Sequence, residues 1–258
     1  MEKEGEPELY ITIMAGGLGK RMMSPIPKVL HHVAGEPMIV KVIQQAFKLK
    51  PEKIIIVVGQ FAEMIKNEIE KFLPNCNGDK IVYLIQKEPL GTADAIKSTL
   101  HVFAEKKRIN NIILNGDTPF LKNTTIEEIY KSFLINNSSL LITCINLEDP
   151  TGNGRIIFDE NNRFRKIVEE KDCNCNEKNI KLVNVGIYIS NNHVLQHYIP
   201  KIDNKNKQKE YYLPDITKLY VENENDPIHI FTLTEDKISE VFNINNAEQL
   251  KLANSFEI

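Results

Sequence analysis

Residues 9–22 read LYITIMAGGLGKRM, and this stretch contains the two features from which the fold can be argued. The first six residues are mostly apolar or β-branched, which is typical of a strand buried on both faces of a sheet. Three glycines and two cations follow within residues 15–21. Ligands of open α/β sheets bind beyond the carboxyl ends of the strands, so the segment predicts a sheet with a ligand site at its edge.

Apolar runs alternate with helical patterns as far as residue 146. The run KIIIVV, Lys53–Val58, predicts a buried strand between two amphipathic helices at 37–50 and 61–72. The same alternation predicts strands at 80–86, 110–114 and 140–145, and helices at 91–105 and from Thr124 or Thr125 onward. Such alternation predicts βαβ crossovers and a mainly parallel, Rossmann-like sheet covered by helices on both faces.

The pattern changes after residue 146, where short strands follow one another. Residues 155–158 and 164–168 flank a polar turn, and the longer run 182–189 reads LVNVGIYI. We therefore predict a strand-rich insertion on the α/β core. Helices are predicted again at 192–198, at 212–221 and from about Asn246, with a last strand at 228–233. The sequence contains no hexapeptide repeats, so it does not predict a β-helix.

The composition excludes some classes of function. The 258 residues include 32 Lys and Arg against 35 Asp and Glu, a formal net charge of −3. A chain with this balance has no general basic field for nucleic acid, so no nucleic-acid partner is expected. No apolar run approaches the roughly 18 residues that span a bilayer. The acidic residues 1–6 do not resemble a secretory signal. We expect a cytoplasmic protein with no membrane partner.

The glycine-rich loop does not fit two common nucleotide motifs. A P-loop requires Ser or Thr after Gly-Lys, and Arg21 stands there instead. A dinucleotide fingerprint requires a third glycine where this chain has Met22. The loop can still cradle phosphate with its backbone N–H groups, while Arg21 and Lys28 supply positive charge. The other interpretation is a glycine-rich turn with cations that face solvent.

Three further strand ends carry polar residues. Gln86 ends the third predicted strand, and its amide suits an imide edge such as that of uracil. Gly91 and Thr92 begin the next helix, where N–H groups can bind ligand oxygens, although Thr92 is equally compatible with an ordinary helix cap. Asp117 follows Asn115 and Gly116 at another strand end. A carboxylate beside phosphates suits Mg²⁺, and the alternative is an ordinary turn residue.

Nine segments together resemble a known family. In chain order they are MAGGLGKRM (14–22), PKVLH (27–31), QKEPLGTA (86–93), NGDTP (115–119), GNGRI (152–156), IVEEKD (167–172), VNVGIY (183–188), EYYLPDI (210–216) and NINNAEQL (243–250). They resemble the uridylyltransferase domain of bacterial N-acetylglucosamine-1-phosphate uridyltransferase over about residues 9–252.

The resemblance implies a fold and a reaction. The implied fold is the glycosyltransferase-A-like nucleotidyltransferase fold, as one domain over 1–258. Residues 1–146 would be the nucleotide-binding α/β part, and 147–258 the sugar-binding part with the C-terminal helix. The implied reaction makes UDP-N-acetylglucosamine and pyrophosphate from UTP and N-acetylglucosamine 1-phosphate, with Mg²⁺ as cofactor.

The resemblance also implies residue roles. Nucleotide-binding roles fall on Met14, Ala15, Gly16, Gly17, Gln86, Gly91, Thr92, Asn115 and Gly116. Sugar-binding roles fall on Gly154, Glu169, Asn184 and Lys171. Catalytic roles fall on Arg21, Lys28 and Asp117, and Mg²⁺ would be held by Asp117 and Asn245. In this interpretation the glycine loop and the two cations stand on one side of the substrates, and the metal stands on the other.

Several alternatives stay open. Transfer to another sugar 1-phosphate fits the same motifs, and so does a catalytically silent module that binds UDP-sugars. Asn115 occupies a position where bacterial members often carry Tyr. Bifunctional members continue into a left-handed β-helix with acetyltransferase activity. This chain has no such repeats. Neither that activity nor the trimer made by the β-helix is expected, and the oligomeric state is open.

Overall fold

The computed structural model describes residues 6–17, 19–74, 80–104, 108–224 and 226–255. Its strands are β1 Glu8–Met14, β2 His32–Val33, β3 Glu36–Pro37, β4 Lys53–Val58, β5 Ile81–Ile85, β6 Ile109–Asn115, β7 Leu140–Asn146, β8 Gly154–Phe158, β9 Phe164–Val168, β10 Leu182–Asn191 and β11 His229–Leu233. Its α-helices are α1 Met38–Lys48, α2 Ala62–Phe72, α3 Thr92–Lys97, α4 Leu100–Phe103, α5 Asn123–Ile135, α6 Asn192–Tyr198, α7 Asp215–Asn223 and α8 Ala247–Ala253.

One large mixed sheet forms the centre of the molecule. Its strand order is β11-β7-β10-β6-β1-β4-β5, with β8 added beside β10 and β9 beside β8. The pairs β1–β4, β1–β6, β4–β5 and β7–β11 are parallel, whereas β10 is antiparallel to both β6 and β7. The predicted Rossmann-like, mainly parallel α/β fold is confirmed.

Both faces of the sheet are buried, as the continuous apolar strands predict. Ile11 and Ile13 of β1 are fully buried in a cluster with side chains of α1, α2 and α5. Tyr10, on the opposite face, packs in a second cluster with side chains of α3, α4, α6 and α7. Because side chains alternate along a strand, helices on both sides are needed to cover β1.

Three helix predictions were wrong in detail. The helix predicted at 91–105 divides into α3 and α4 at buried Thr99, whose hydroxyl donates to the Ile96 carbonyl at 2.7 Å. Glu105 lies outside the described residues. Helix α5 begins at Asn123, and Thr125 donates to Glu240 Oε2 at 2.6 Å instead of capping it. Helix α7 begins at Asp215 and not at Tyr212.

The parallel strands bring their carboxyl ends to one edge of the sheet. Residues 15–17 and Lys28 follow β1, Gln86 follows β5, and Gly116 and Asp117 follow β6. The sequence-predicted ligand residues therefore come together from distant parts of the chain. Among the described helices, none has the length and apolar character needed to cross a membrane.

Candidate active site

A cleft of about 890 Å³ lies at this edge of the sheet. Its walls combine the glycine loop, the ends of β5 and β6 and the segment before α8. The predicted residues that line it are Met14, Ala15, Gly16, Gly17, Arg21, Lys28, Gln86, Gly91, Thr92, Asn115, Asp117, Glu169 and Asn245. Residues assigned to phosphate, base, metal and sugar thus share one continuous space.

A smaller cavity of about 150 Å³ adjoins the cleft, since Glu169, Thr92 and Asn115 line both. Two predicted sugar residues, Gly154 and Asn184, line this smaller cavity. The structure therefore gathers three of the four predicted sugar residues in one place.

Two predicted residues line neither space. Lys171 is exposed and hydrogen-bonds to the side chain of Gln208. Gly116 is buried behind the cleft, where an added Cβ would lie 3.0 Å from both Ile39 Cδ1 and the Met14 carbonyl oxygen. Gly116 therefore allows β6 to pack closely rather than contacting a ligand, and a sugar-phosphate contact for Lys171 would require its side chain to move.

The polar centre of the cleft is a cluster of four predicted residues. Lys28 Nζ donates to Asp117 Oδ2 and, at 2.9 Å, to Asn245 Oδ1. Arg21 donates to the same Asn245 oxygen at 3.3 Å. The side chains of Lys28 and Asp117 are only 17% and 10% exposed. Two cations thus converge on one carboxylate and one amide in a partly water-excluded site.

This cluster corrects the sequence interpretation in one respect. The cations and the metal pair were expected on opposite sides of the substrates, yet Lys28 lies between Asp117 and Asn245. The two oxygens point at one shared position, which a cation already occupies. A carboxylate and an amide oxygen are hard ligands of the kind that Mg²⁺ prefers. The donor set therefore fits Mg²⁺ if Lys28 moves onto phosphate.

Local backbone contacts bring Asn245 to Asp117 across 128 positions of the chain. The Ile244 N–H donates to the Asp117 carbonyl at 3.1 Å. Asn246 then caps α8 by accepting from the Gln249 N–H at 2.8 Å, and Gln249 Oε1 accepts from the Asn245 N–H at 2.7 Å. This reciprocal pair resembles a capping box and fixes the start of α8.

The glycine loop is shaped by its contact with Lys28. Gly19 has a φ of +59°, and an added Cβ would lie 2.7 Å from Lys28 Cβ. Only glycine lets the loop adopt this conformation and lie directly on the lysine stem. The loop begins at Ala15, whose N–H donates to the Val57 carbonyl at 2.8 Å and continues the parallel ladder.

Gln86 stands at another part of the cleft wall and is 7% exposed. Its Nε2 donates to the Gly91 carbonyl at 3.0 Å and to Asp94 Oδ2 at 2.8 Å. The sequence interpretation offered both donors and an acceptor to a base. In the structure both amide hydrogens are already engaged, so only Oε1 is available to a ligand.

The segment 211–213 is bound to the loop that follows Gln86. The Tyr211 N–H donates to the Leu90 carbonyl at 2.8 Å, and its carbonyl accepts from the Ala93 N–H at 2.9 Å. Thr92 does not cap a helix; its hydroxyl accepts from the Leu213 N–H at 2.8 Å. These contacts join the predicted nucleotide side to the predicted sugar side.

The sugar-side wall is acidic. Burial, together with the nearby carboxylates of Asp215 and Asp172, raises the pKa of Glu169 from its ordinary 4.5 to about 7. Arg155 acts in the opposite direction. Glu169 therefore exchanges a proton near neutral pH, which is uncommon for a carboxyl group outside a binding site.

A buried arginine holds the adjoining loop. Arg155 is 1% exposed and donates to Glu170 Oε2 at 2.6 Å, and the same oxygen accepts from the Gly152 N–H at 3.1 Å. Burial would raise the pKa of Glu170, but its bonds from Arg155 and Gly152 outweigh burial and lower it. Gly152 and Asn153 line both cavities, so this ion pair fixes the wall between them.

Sequence reasoning assigned no role to two residues that position the site. Gln249 lies inside a quoted motif, and its spacing from Asn246 is a recognisable capping signal. Asp94 gave no signal, because nothing in a single sequence shows that a helical carboxylate faces Gln86. Glu210, which carried no assignment, also lines the cleft.

Similarity to known proteins agrees with this fold. The model of the family "Nucleotidyl transferase" matches residues 11–235. The chain belongs to the nucleotidyl transferase family. A crystal structure from Bacillus anthracis, named as a glucose-1-phosphate thymidylyltransferase, superposes with a TM-score of 0.74 at 19% identity, covering 96% of this chain and 94% of that one. At this identity the likeness concerns the fold alone.

Two sequence relatives are more specific. The chain is 50% identical to the "Probable UDP-N-acetylglucosamine pyrophosphorylase" of Acanthamoeba polyphaga mimivirus over 248 residues, which is 96% of each protein. It is 35% identical over 247 residues to the bifunctional protein GlmU of Bacillus subtilis (strain 168). The match covers 96% of this chain and 52% of that relative, so the chain spans about half the length of the bifunctional protein.

Proposed function

We propose that the protein is a Mg²⁺-dependent uridylyltransferase that makes UDP-N-acetylglucosamine and pyrophosphate from UTP and N-acetylglucosamine 1-phosphate. The observation that carries the proposal is a cluster in one cleft, formed by Arg21, Lys28, Asp117 and Asn245. The same cleft contains the side-chain amide of Gln86, whose oxygen can accept a hydrogen bond from a base. The name of the mimivirus relative, a probable UDP-N-acetylglucosamine pyrophosphorylase, supports the choice of uridylyl and N-acetylglucosamine groups.

The reaction joins two anions. A phosphate oxygen of the sugar 1-phosphate attacks the α-phosphorus of UTP, and a new P–O bond forms. The bond from the α-phosphorus to the bridging oxygen breaks, and pyrophosphate leaves with the electron pair. The attacking oxygen is already deprotonated, so no general base is needed. Catalysis then depends on positioning and on neutralising charge.

The cluster supplies that neutralisation. Lys28 and Arg21 are placed to bind the triphosphate oxygens and the leaving pyrophosphate, where charge increases. Asp117 and Asn245 would hold Mg²⁺. Members of the family generally use a divalent metal. When bound, the ion lowers the repulsion between the two phosphates. The N–H groups of the glycine loop at 16–17 would orient the triphosphate, while the Ala15 N–H stays bound to the Val57 carbonyl.

We place the sugar in the smaller cavity. Glu169 and Asn184 there offer a carboxyl and an amide, which can hydrogen-bond to sugar hydroxyls and to an acetamido group. Position 154 is a glycine, and any larger residue would crowd Glu169, because an added Cβ would lie 3.0 Å from Glu169 Oε1. We propose that this crowded wall selects the hexosamine 1-phosphate.

Pyrophosphate release tests the proposed function. Purified protein with Mg²⁺ is assayed against UTP, dTTP, CTP and GTP, each with N-acetylglucosamine, glucose and galactosamine 1-phosphates. We expect the highest kcat/KM for UTP with N-acetylglucosamine 1-phosphate, and loss of turnover with EDTA and in Asp117→Ala. A higher kcat/KM for another sugar 1-phosphate would show that this sugar, and not N-acetylglucosamine 1-phosphate, is the substrate. UDP-sugar binding without turnover would favour the silent module.

The remaining assignments are also proposals. We place the enzyme in the cytoplasm, with UTP and the sugar 1-phosphate as its partners. The division into a nucleotide part, 1–146, and a sugar part, 147–258, is also a proposal, and each of the two cavities is lined by residues from both parts. The oligomeric state is open.

A further inference from the structure

The carboxylate of Asp94 is one of two acceptors that hold the side-chain amide of Gln86. Both Nε2 hydrogens of Gln86 are engaged, one by the Gly91 carbonyl at 3.0 Å and one by Asp94 Oδ2 at 2.8 Å. Both partners are acceptors without a hydrogen to give. The amide therefore has a fixed direction with its nitrogen toward α3.

The reversed amide would be strongly disfavoured. It would place Oε1 against two acceptors and would leave the two N–H groups without these partners in a side chain that is 7% exposed. A buried donor or acceptor that loses its partner is much less stable than one that keeps it. Of the two acceptors, only the one at Asp94 belongs to a side chain, so evolution or mutation can change it without moving the backbone.

The other side of the amide is open to a ligand. Gln86 lines the cleft, and its Oε1 stands beside Gly16, where an added Cβ would lie 3.0 Å from that oxygen. Within the described residues, no donor to Oε1 is found, whereas Nε2 has two partners. The cleft wall thus presents an acceptor and no donor at this point.

We propose that Asp94 is a positioning residue that sets nucleobase selectivity by holding Gln86 as an acceptor. Uracil offers a ring N–H at N3 on its pairing edge, and cytosine offers an unprotonated acceptor at the same place. A fixed acceptor therefore selects uracil-type bases and repels cytosine, because two facing acceptors cannot bond. The inference rests on the proposed function, in which this cleft takes a nucleoside triphosphate.

The experiment compares UTP with CTP in wild type, Asp94→Asn and Asp94→Ala. Asn can offer Gln86 either an acceptor or a donor, so a reversed amide would face only one fixed acceptor, the Gly91 carbonyl, instead of two. We expect the UTP-to-CTP ratio of kcat/KM, and of equilibrium affinity by calorimetry, to fall about tenfold, or about 1.4 kcal/mol. Lys97→Ala, at an exposed site on the same helix, is the matched control and should keep the wild-type ratio.

The outcomes separate this inference from a structural role. If folded Asp94→Asn and Asp94→Ala keep the wild-type ratio, the inference is overturned. Equal losses for UTP and CTP would also overturn it, since they would show a merely structural contact. If wild type releases no pyrophosphate yet binds UTP over CTP, the proposed function fails while the calorimetric ratios still decide the role of Asp94. Equal affinity of the wild-type protein for UTP and CTP would overturn the inference.

Discussion

Lys28 is the residue on which the phosphate end of the cleft depends. Its ammonium contacts both Asp117 and Asn245, and its stem lies against Gly19. We expect Lys28→Ala to lower kcat/KM for UTP by at least about 30-fold, which corresponds to about 2–3 kcal/mol for one lost charge-stabilising donor. Steady-state pyrophosphate release measures the change.

A matched control is Lys48→Ala, an exposed lysine that donates only to Gln45 among the described contacts. It should retain wild-type kcat/KM. Thermal unfolding of both variants checks that the fold is intact. Near-wild-type turnover in folded Lys28→Ala would show that this lysine does not stabilise the reacting phosphates.

Glu169 makes stability depend on pH in an unusual direction. Its pKa is raised to about 7 in the folded protein, so between about pH 4.5 and 7 the folded state keeps a proton that the unfolded state has released. Stability must therefore fall as pH rises through this window. Asp215, whose pKa burial raises to about 6, acts with the same sign.

We expect Glu169→Gln to weaken this dependence, because Gln is neutral at every pH. Urea unfolding at pH 5, 6, 7 and 8 measures the free energy of unfolding of both proteins. The variant should gain stability relative to wild type as pH rises. Glu148→Gln, at an exposed carboxyl, serves as the control. A constant difference between Glu169→Gln and wild type would show that the carboxyl does not titrate in this range.

At the scale of elements, the loop between β5 and α3 packs tightly against segment 211–213. Gly91 has a φ of +122°, and an added Cβ would lie 2.4 Å from the Tyr211 carbonyl oxygen. We expect Gly91→Ala to cost about 2 kcal/mol or more from backbone strain and this contact. Calorimetric unfolding should show the loss, together with a higher KM for UTP.

Gly17→Ala is the matched control within the same cleft, because nothing lies within 4 Å of its added Cβ. Its unfolding temperature should stay close to that of wild type, whatever its effect on nucleotide binding. An equal unfolding temperature for Gly91→Ala would contradict the tight packing of segment 211–213 against α3.

Elements rich in β-branched residues could be predicted well from the sequence. Strand β4 has the predicted ends, since the β-branched run KIIIVV is typical of a buried strand. The break at Thr99 could not be predicted, because its hydroxyl competes with the helix only once the side chain is buried. The start of α5 was missed for a similar reason, as Thr125 bonds to distant Glu240.

The candidate site was predictable as a set of residues and not as a set of contacts. The resemblance named Lys28, Asp117 and Asn245, and the fold brings them together. That Lys28 lies between the other two depends on the orientation of side chains far apart in the sequence. Asp94 was missed because its role arises only from where Gln86 points.

At the scale of the whole molecule, β10 joins the two parts of the chain. It lies between β6 and β7 in the sheet and is antiparallel to both. We expect the full chain to unfold in one cooperative transition, with equal calorimetric and van't Hoff enthalpies. A fragment of residues 1–146 lacks β10 and should show no cooperative transition. A native-like transition in that fragment would establish an independent first domain.

The late position of β10 in the chain also matters during synthesis. During translation, β6 and β7 are synthesised well before β10, which ends at Asn191 and pairs with both. Until then each of these nascent strands keeps an edge of unpaired N–H and C=O groups, and such edges invite pairing with other chains. The nascent polypeptide therefore passes through an interval, before β10 pairs with β6 and β7, in which chaperone binding would protect these edges from aggregation.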